Sequence, residues 1–236
     1  MREGQRMKER NMMPFAKCFA ALADKGLDLL YPSALYCSCC GNLIDDTRTY
    51  HLCDHCISHI RWDTGDVRLV NGVKTLRCAE YGLYARTLIF ALKYNGKAYI
   101  ARDLARIMAD RLALAELDFD VIVPVPLFSQ KEKRRGFNQA ALIGKYLGKL
   151  TGRPCFAHGL LRTADTIPMR GLSPAERQLN VKDKFAVNEK YVTLLKGQRI
   201  LLVDDFFTTG STASQCLRAL EEVRPADVHL LAFAAR

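Results

Sequence analysis

Short runs of consecutive aliphatic residues alternate along this chain with stretches in which apolar positions recur every three or four residues, the pattern of strands feeding helices. Ile200 to Val203 form one such run, read as a strand buried on both faces of a parallel sheet. Two carboxylates, Asp204 and Asp205, follow at its carboxyl end, then Thr208, Thr209, Gly210, Ser211 and Thr212. A helix is expected from about Ala213 to Val223, with Ala213, Leu217, Leu220 and Val223 on one face and Pro225 beyond its end. Asp120 to Pro126 is a second strand-like run, and its two prolines force an extended exit. Next come Lys131, Lys133, Arg134, Arg135 and Gly136, read as a basic loop. A helix then runs from about Gln139 to Leu150, with Ile143, Leu147 and Leu150 aligned, ending before Gly152 and Pro154. Near the start, Pro14 to Tyr31 reads as an amphipathic helix carrying Phe15, Phe19, Leu22, Leu29 and Leu30 on one face, and Pro32 stops it.

The strand–helix alternation predicts an α/β protein. A length of 236 residues with 49% hydrophobic content is ample for a core. No apolar run approaches the ~18 residues of a membrane span, so an integral membrane protein is not expected. Met1 to Lys17 mixes charges of both signs without a signal-peptide apolar region, which predicts a cytoplasmic protein.

Nine cysteines in such a chain argue for metal or free thiols rather than disulfides. Cys37, Cys40, Cys53 and Cys56 give two pairs, each with two residues between its members. That spacing lets a tight turn point both sulfurs at one tetrahedral ion, and Gly41 relaxes the backbone just after the first pair. Four thiolates close the coordination sphere, so structural Zn²⁺ is expected rather than catalytic metal. Cys39 is an alternative to Cys40, and His51, His55 and His59 are near enough to compete as ligands. Cys18, Cys78, Cys155 and Cys216 read as isolated core or half-buried thiols. The formal charge of +10 falls to about +8 once four thiolates and one zinc are counted. The excess is spread along the chain, which fits a cleft for a polyphosphate as well as a nucleic-acid surface.

The carboxylates and the small-residue loop after Val203 suit one kind of ligand. Carboxylates repel phosphate but accept hydrogen bonds from vicinal hydroxyls, whereas loop amides at a helix start favour an anion. A ribose carrying a 5-phosphate satisfies both. The run Ile200 to Thr212 resembles the signature of type I phosphoribosyltransferases, which bind phosphoribosyl pyrophosphate (PRPP).

Further segments resemble the ComF family, the competence-associated branch of phosphoribosyltransferase-like proteins. They are Val123-Pro-Val-Pro126 with the basic cluster and Arg135-Gly-Phe-Asn-Gln139, Ala91-Leu-Lys-Tyr-Asn-Gly96, Gly171-Leu-Ser…Asn180, and the paired cysteines. The resemblance covers about residues 27 to 236 in collinear order. It implies a type I phosphoribosyltransferase fold, a parallel sheet flanked by helices, over residues 66–236. A small zinc ribbon-like module with an N-terminal helix would occupy residues 1–65. Val67 to Tyr84, read as short strands, would form part of a hood over the acceptor side.

The resemblance also implies a ribose on Asp204 and Asp205, its 5-phosphate on Thr208 to Thr212, and Mg²⁺ with the pyrophosphate beside Lys93 and the Arg134–Arg135–Gly136 segment. The function it implies is PRPP binding in DNA uptake or DNA utilisation. Single-stranded DNA and a helicase-like or competence-machinery protein are the candidate partners. Two alternatives stand beside it: an active transferase with an unidentified nitrogen acceptor, and a zinc-dependent docking scaffold without catalysis. No catalytic base is nominated. Where the family often has Gln-Thr ahead of Gly-Leu-Ser, this chain has Met169-Arg170, and Phe206 and Phe207 are bulkier than usual after Asp-Asp.

Overall fold

The computed structural model describes residues 35–45, 47–70, 72–94, 97–163, 184–207 and 211–236. The expected helix over 14–31, the segment 171–180, Asn95, Gly96, Thr208, Thr209 and Gly210 lie outside them. The chain divides into two compact units, Met1–Cys53 and Asp54–Arg236.

In the first unit the described residues make a hairpin-like knuckle. Tyr36 bridges Leu43 antiparallel, with Ile44 N–H donating to Leu35 C=O (2.9 Å) and Cys37 N–H to Asn42 C=O (2.8 Å). At its tip Gly41 donates to Cys37 C=O with a φ of 78°, a left-handed turn open to glycine at no steric cost.

The second unit contains α1 (Asp54–His59), β1 (Arg68–Val70), β2 (Val73–Glu80), α2 (Leu83–Tyr94), α3 (Ile100–Leu114), β3 (Val121–Pro124), α4 (Ser129–Arg135) and α5 (Gln139–Thr151). After these come β4 (Leu160–Arg162), β5 (Phe185–Val187), α6 (Val192–Leu195), β6 (Arg199–Phe207), α7 (Ser211–Glu221) and β7 (Asp227–Ala235). Five strands form one sheet in the order β1-β2-β7-β6-β3. All neighbours are parallel except β1, which runs antiparallel to β2. The strands expected between Val67 and Tyr84 are therefore this sheet's edge, and Leu83 already opens α2. Strands β4 and β5 make a separate antiparallel ribbon.

Helices α3 and α5 pack on each other and on one face of the sheet, α3 over β2 and β7 and α5 over β3 and β6. Helix α7 and the β4–β5 ribbon cover the other face. There Val121, Val123, Ile200, Leu202 and Leu230 of the sheet meet Cys216 and Leu220 of α7 in one buried cluster. Alternation along each strand sends Ile122, Leu201 and Leu231, all fully buried, to the opposite face. With both faces covered, β3, β6 and β7 read as near-continuous aliphatic runs.

The ends of the sheet are tied by charge. Arg199 donates to Asp120 Oδ1 (2.7 Å) and Oδ2 (3.0 Å) and to Asp118 (2.7 Å), clamping β6 to the entry of β3. The Arg199 guanidinium holds the Asp120 carboxyl far below the ordinary carboxylate range. Asp63, buried, pairs with Arg77 and with Arg68 (3.2 Å), while Arg111 of α3 donates to the carbonyls of Arg77 (3.2 Å) and Gly65. Among the described residues no helix is long and apolar enough to cross a membrane.

Candidate functional site

The acidic pair sits where the sheet opens. The β3–β6 ladder ends at Pro124 and Val203, and Val125 N–H makes a last bond to Val203 C=O (2.8 Å). Strand β6 continues beside β7 alone, through Asp204 opposite Ala232 to Phe207 opposite Ala235. The strand thus runs four residues past the apolar run, and both carboxylates lie on it rather than after it. In an open α/β sheet this carboxyl edge is the crevice that takes ligands.

Asp205 is buried, and its Oδ2 meets Lys93 Nζ at 2.6 Å. Lys93 is delivered by the last turn of α2. Burial would lower the Lys93 pKa, but the Asp205 carboxylate outweighs it and raises the pKa above the ordinary lysine value. Asp204 accepts from Asp205 N–H (2.8 Å). Burial, followed by the charge of Asp205, pushes the Asp204 carboxyl well above the usual range. Among the described residues one cation, Lys93, pairs with these two adjacent acids, an arrangement that can take further positive charge or hydroxyl donors.

The cationic side is a helix rather than a loop. Lys131, Lys133, Arg134 and Arg135 belong to α4, which ends with Gly136 N–H donating to Glu132 C=O (2.8 Å). Arg135 reaches Gln139 Oε1 (3.0 Å) and Tyr94 Oη (3.4 Å), with its guanidinium 5.2 Å from the Tyr94 ring centroid. Its charge opposes that of Lys93. Lys93, Asp204, Asp205 and Arg135 are thus gathered, whereas Arg134 is exposed on α4. Tyr94 and Gln139 join the site without standing out in the sequence, although Tyr94 lies within the Ala91–Gly96 segment and Gln139 ends Arg135-Gly-Phe-Asn-Gln139. Asn138 fixes the start of α5: its Oδ1 accepts from Ala140 N–H (3.0 Å) and Ala141 N–H (3.4 Å), and its Nδ2 donates to Val125 C=O (3.1 Å). Ser211 and Thr212 open α7, and the preceding Thr208, Thr209 and Gly210 are outside the described set. Phe206 stacks on Tyr81 with ring centroids 4.1 Å apart, and Phe207 packs against the cluster under α7.

The expected thiols also converge. The sulfurs of Cys37, Cys40, Cys53 and Cys56 all lie within 4.8 Å of one another, and Cys40 and Cys53 are 3.7 Å apart. A tetrahedral ion with bonds of about 2.3 Å sets its sulfurs about 3.8 Å apart, so the donor set fits zinc. Burial alone would raise the Cys37 thiol, but backbone N–H groups of Cys40, Cys53 and Cys39 outweigh it and bring it down to about 7. One of these bonds is Cys53 N–H to Cys37 Sγ at 3.3 Å. Cys40, not Cys39, completes the set. His55 instead meets Tyr84 Oη (2.9 Å), and the His55 and His59 rings lie 4.2 Å apart. Buried Cys78 and Cys216 have thiols pushed far up by burial, as befits core residues.

Residues 156–236 match the family described as "Phosphoribosyl transferase domain". The chain is 28% identical over 208 residues to Competence protein F of Haemophilus influenzae, covering 84% of each chain. It is 31% identical over 148 residues to DNA utilization protein YhgH of Escherichia coli K12, covering 60% of this chain and 63% of YhgH, just under two thirds of that relative. Among solved structures it is similar to the glutamine PRPP amidotransferase of B. subtilis complexed with ADP and GMP. That superposition has 20% identity and a TM-score of 0.39, and covers 58% of this chain and 26% of that one. The domain match and the parallel sheet flanked by helices define a type I phosphoribosyltransferase fold. Within that class these relatives, named for competence and for DNA utilization, support the ComF family for this chain.

Proposed function

We propose that this protein binds PRPP at the carboxyl edge of β6 and acts in the cytoplasm in DNA uptake or DNA utilisation, contacting single-stranded DNA. Residues 66–236 form the ligand-binding domain in this reading, and residues 1–65 a zinc module for folding or docking. The observation that carries it is the Lys93–Asp205 pair beside Asp204, on the strand that leads into Thr-Thr-Gly-Ser-Thr. Asp204 and Asp205 accept the ribose hydroxyls, and Thr208 to Thr212 receive the 5-phosphate. Mg²⁺ bound with PRPP neutralises pyrophosphate charge. Lys93, kept protonated by Asp205, exchanges this partner for a phosphate oxygen, with Arg135 next to it and Arg134 and Gly136 at the rim. Such a site works by positioning and charge stabilisation.

Calorimetric titration of PRPP with Mg²⁺ tests the reading, with Asp205→Asn as the comparison. Binding by the native chain that weakens at least about tenfold in the variant is expected, because the substitution removes a charged hydrogen-bond acceptor (~1.4 kcal/mol or more). A folded, zinc-loaded chain that gives no heat with PRPP would refute it.

A further inference from the structure

Beside the carboxyl edge of β3 the second unit carries a trench that the PRPP reading leaves unused. Its larger part, about 650 Å³, runs along α5. Lys145 and Lys149, one turn apart on α5, share its wall with Arg153 and His158, and Ala141, Leu142 and Gly148 lie beneath. It continues into a hollow of about 350 Å³ that shares Glu132, Asn138, Ala141, Ala157 and His158, and that reaches Leu161 and Arg162. Lys145, Lys149, Arg153 and His158 are exposed, and among the described residues Glu132 is the one carboxylate lining either part. Phe137 stands at the α4–α5 turn, and Lys149 Nζ lies 5.4 Å from the Tyr146 ring centroid.

The trench is built into the fold. A Cβ on Gly148 would lie 2.7 Å from Arg153 C=O, so only glycine lets the segment after α5 return this closely. That return brings Arg153 beside the lysines, and Ile122 N–H to Pro154 C=O (2.9 Å) seals the segment onto β3. At the other end Asn138 ties the trench to Val125, next to the turn that carries Arg135 toward Tyr94.

We infer that this trench is the path of single-stranded DNA, with phosphates along Lys145, Lys149 and Arg153 and bases turned to the apolar floor. The inference rests on the DNA-contact reading above and supplies its location. Charge complementarity selects a polyanion, because among the described residues Lys145, Lys149, Arg153 and Arg162, with His158, face one acid, Glu132. The concave apolar floor selects a strand with free base faces over a duplex, whose bases are stacked away. The path would end at the Gly136–Asn138 turn, beside the proposed PRPP site.

The test measures binding of a fluorescent oligo-dT over a salt series, using the full-length, zinc-loaded chain. The comparisons are Lys145→Glu/Lys149→Glu/Arg153→Glu and a charge-matched Lys196→Glu/Arg218→Glu/Arg224→Glu control at exposed positions outside the trench. Three lost phosphate contacts should flatten the salt slope by about 2 and weaken affinity on the order of tenfold or more. PRPP affinity should stay unchanged, as should both properties in the control. If the triple reversal does not fold, the three glutamine substitutions replace it. Native-like binding by the triple variant overturns the trench while leaving DNA contact standing. No oligo-dT binding by the native chain removes both, and PRPP titration of the same sample shows whether the phosphoribosyl reading survives. Equal affinity for duplex, or tighter binding of oligo-U, overturns the assignment to single-stranded DNA.

Discussion

Gly148 shows how much of the site's surroundings rests on one missing methyl group. It is buried in α5, where glycine costs about 1 kcal/mol of helix propensity relative to alanine. The close approach of Arg153 C=O explains why that cost is borne. Gly148→Ala is therefore expected to destabilise the protein by about 1–3 kcal/mol, since forced displacement of packed backbone outweighs the propensity gain. Chemical denaturation followed by far-UV circular dichroism would read this, and a variant as stable as the native chain would show that the segment yields freely. Lys93 and Asp205 make a complementary point. Their pairing joins α2 to β6 across most of the domain, and no local pattern announces it. The acids were legible because they terminate an aliphatic run and precede small hydroxyl residues. The lysine was legible only through its Leu-Lys-Tyr neighbours.

Among the elements, those with a clear apolar period were read well. The helix expected over 139–150 is found at Gln139–Thr151, and the one expected over 213–223 at Ser211–Glu221. Helix α4 reads as a loop in the sequence because it is polar on every side. It owes its shape to its ends, where Glu132 N–H meets Phe128 C=O (2.9 Å) and Gly136 closes the last turn. Strands β4 and β5 are three residues each, too short for a period of two to register. Helix α3 and strand β7 were not anticipated. In α3, Asp103 and Arg111 are buried among aliphatic residues and blur the stripe, and β7 ends in alanines of weak strand preference. The start of α5 carries its own test. Asn138→Ala removes the one oxygen that caps the N–H groups of Ala140 and Ala141 and leaves Val125 C=O without its side-chain donor, so a loss of about 2–3 kcal/mol is expected. Asn138→Asp would keep the cap and lose only the donor, and thermal melts that fail to rank the pair this way would reject the double role.

For the molecule as a whole, the thiol cluster ties the proposed zinc to folding. Four converging sulfurs, one of them with a lowered thiol pKa, could hold a metal such as zinc, and binding such an ion would add to folding free energy. Chelation is expected to release about one zinc per chain and expose four fast-reacting thiols, with Cys78 and Cys216 staying slow. Atomic absorption with timed thiol titration would register both, and a chelated chain without fast thiols would rule out the cysteine site. Part of the basic excess stands at the crevice, on Lys93 and Arg135, and part along the trench.

The strand order has a consequence for synthesis. Strand β7 lies between β2 and β6, so Lys74 pairs with His229 and Val203 with Leu231. On a ribosome, β1 and β2 emerge early and meet as a local hairpin, yet the parallel partner of β2 is the last strand of the sheet to be made. Until then the sheet is two unconnected pieces, and its aliphatic centre stays open to the solvent. Such late, long-range closure is slow and exposes apolar strands to other chains. Nascent-chain capture by a chaperone should therefore persist until β7 clears the exit tunnel.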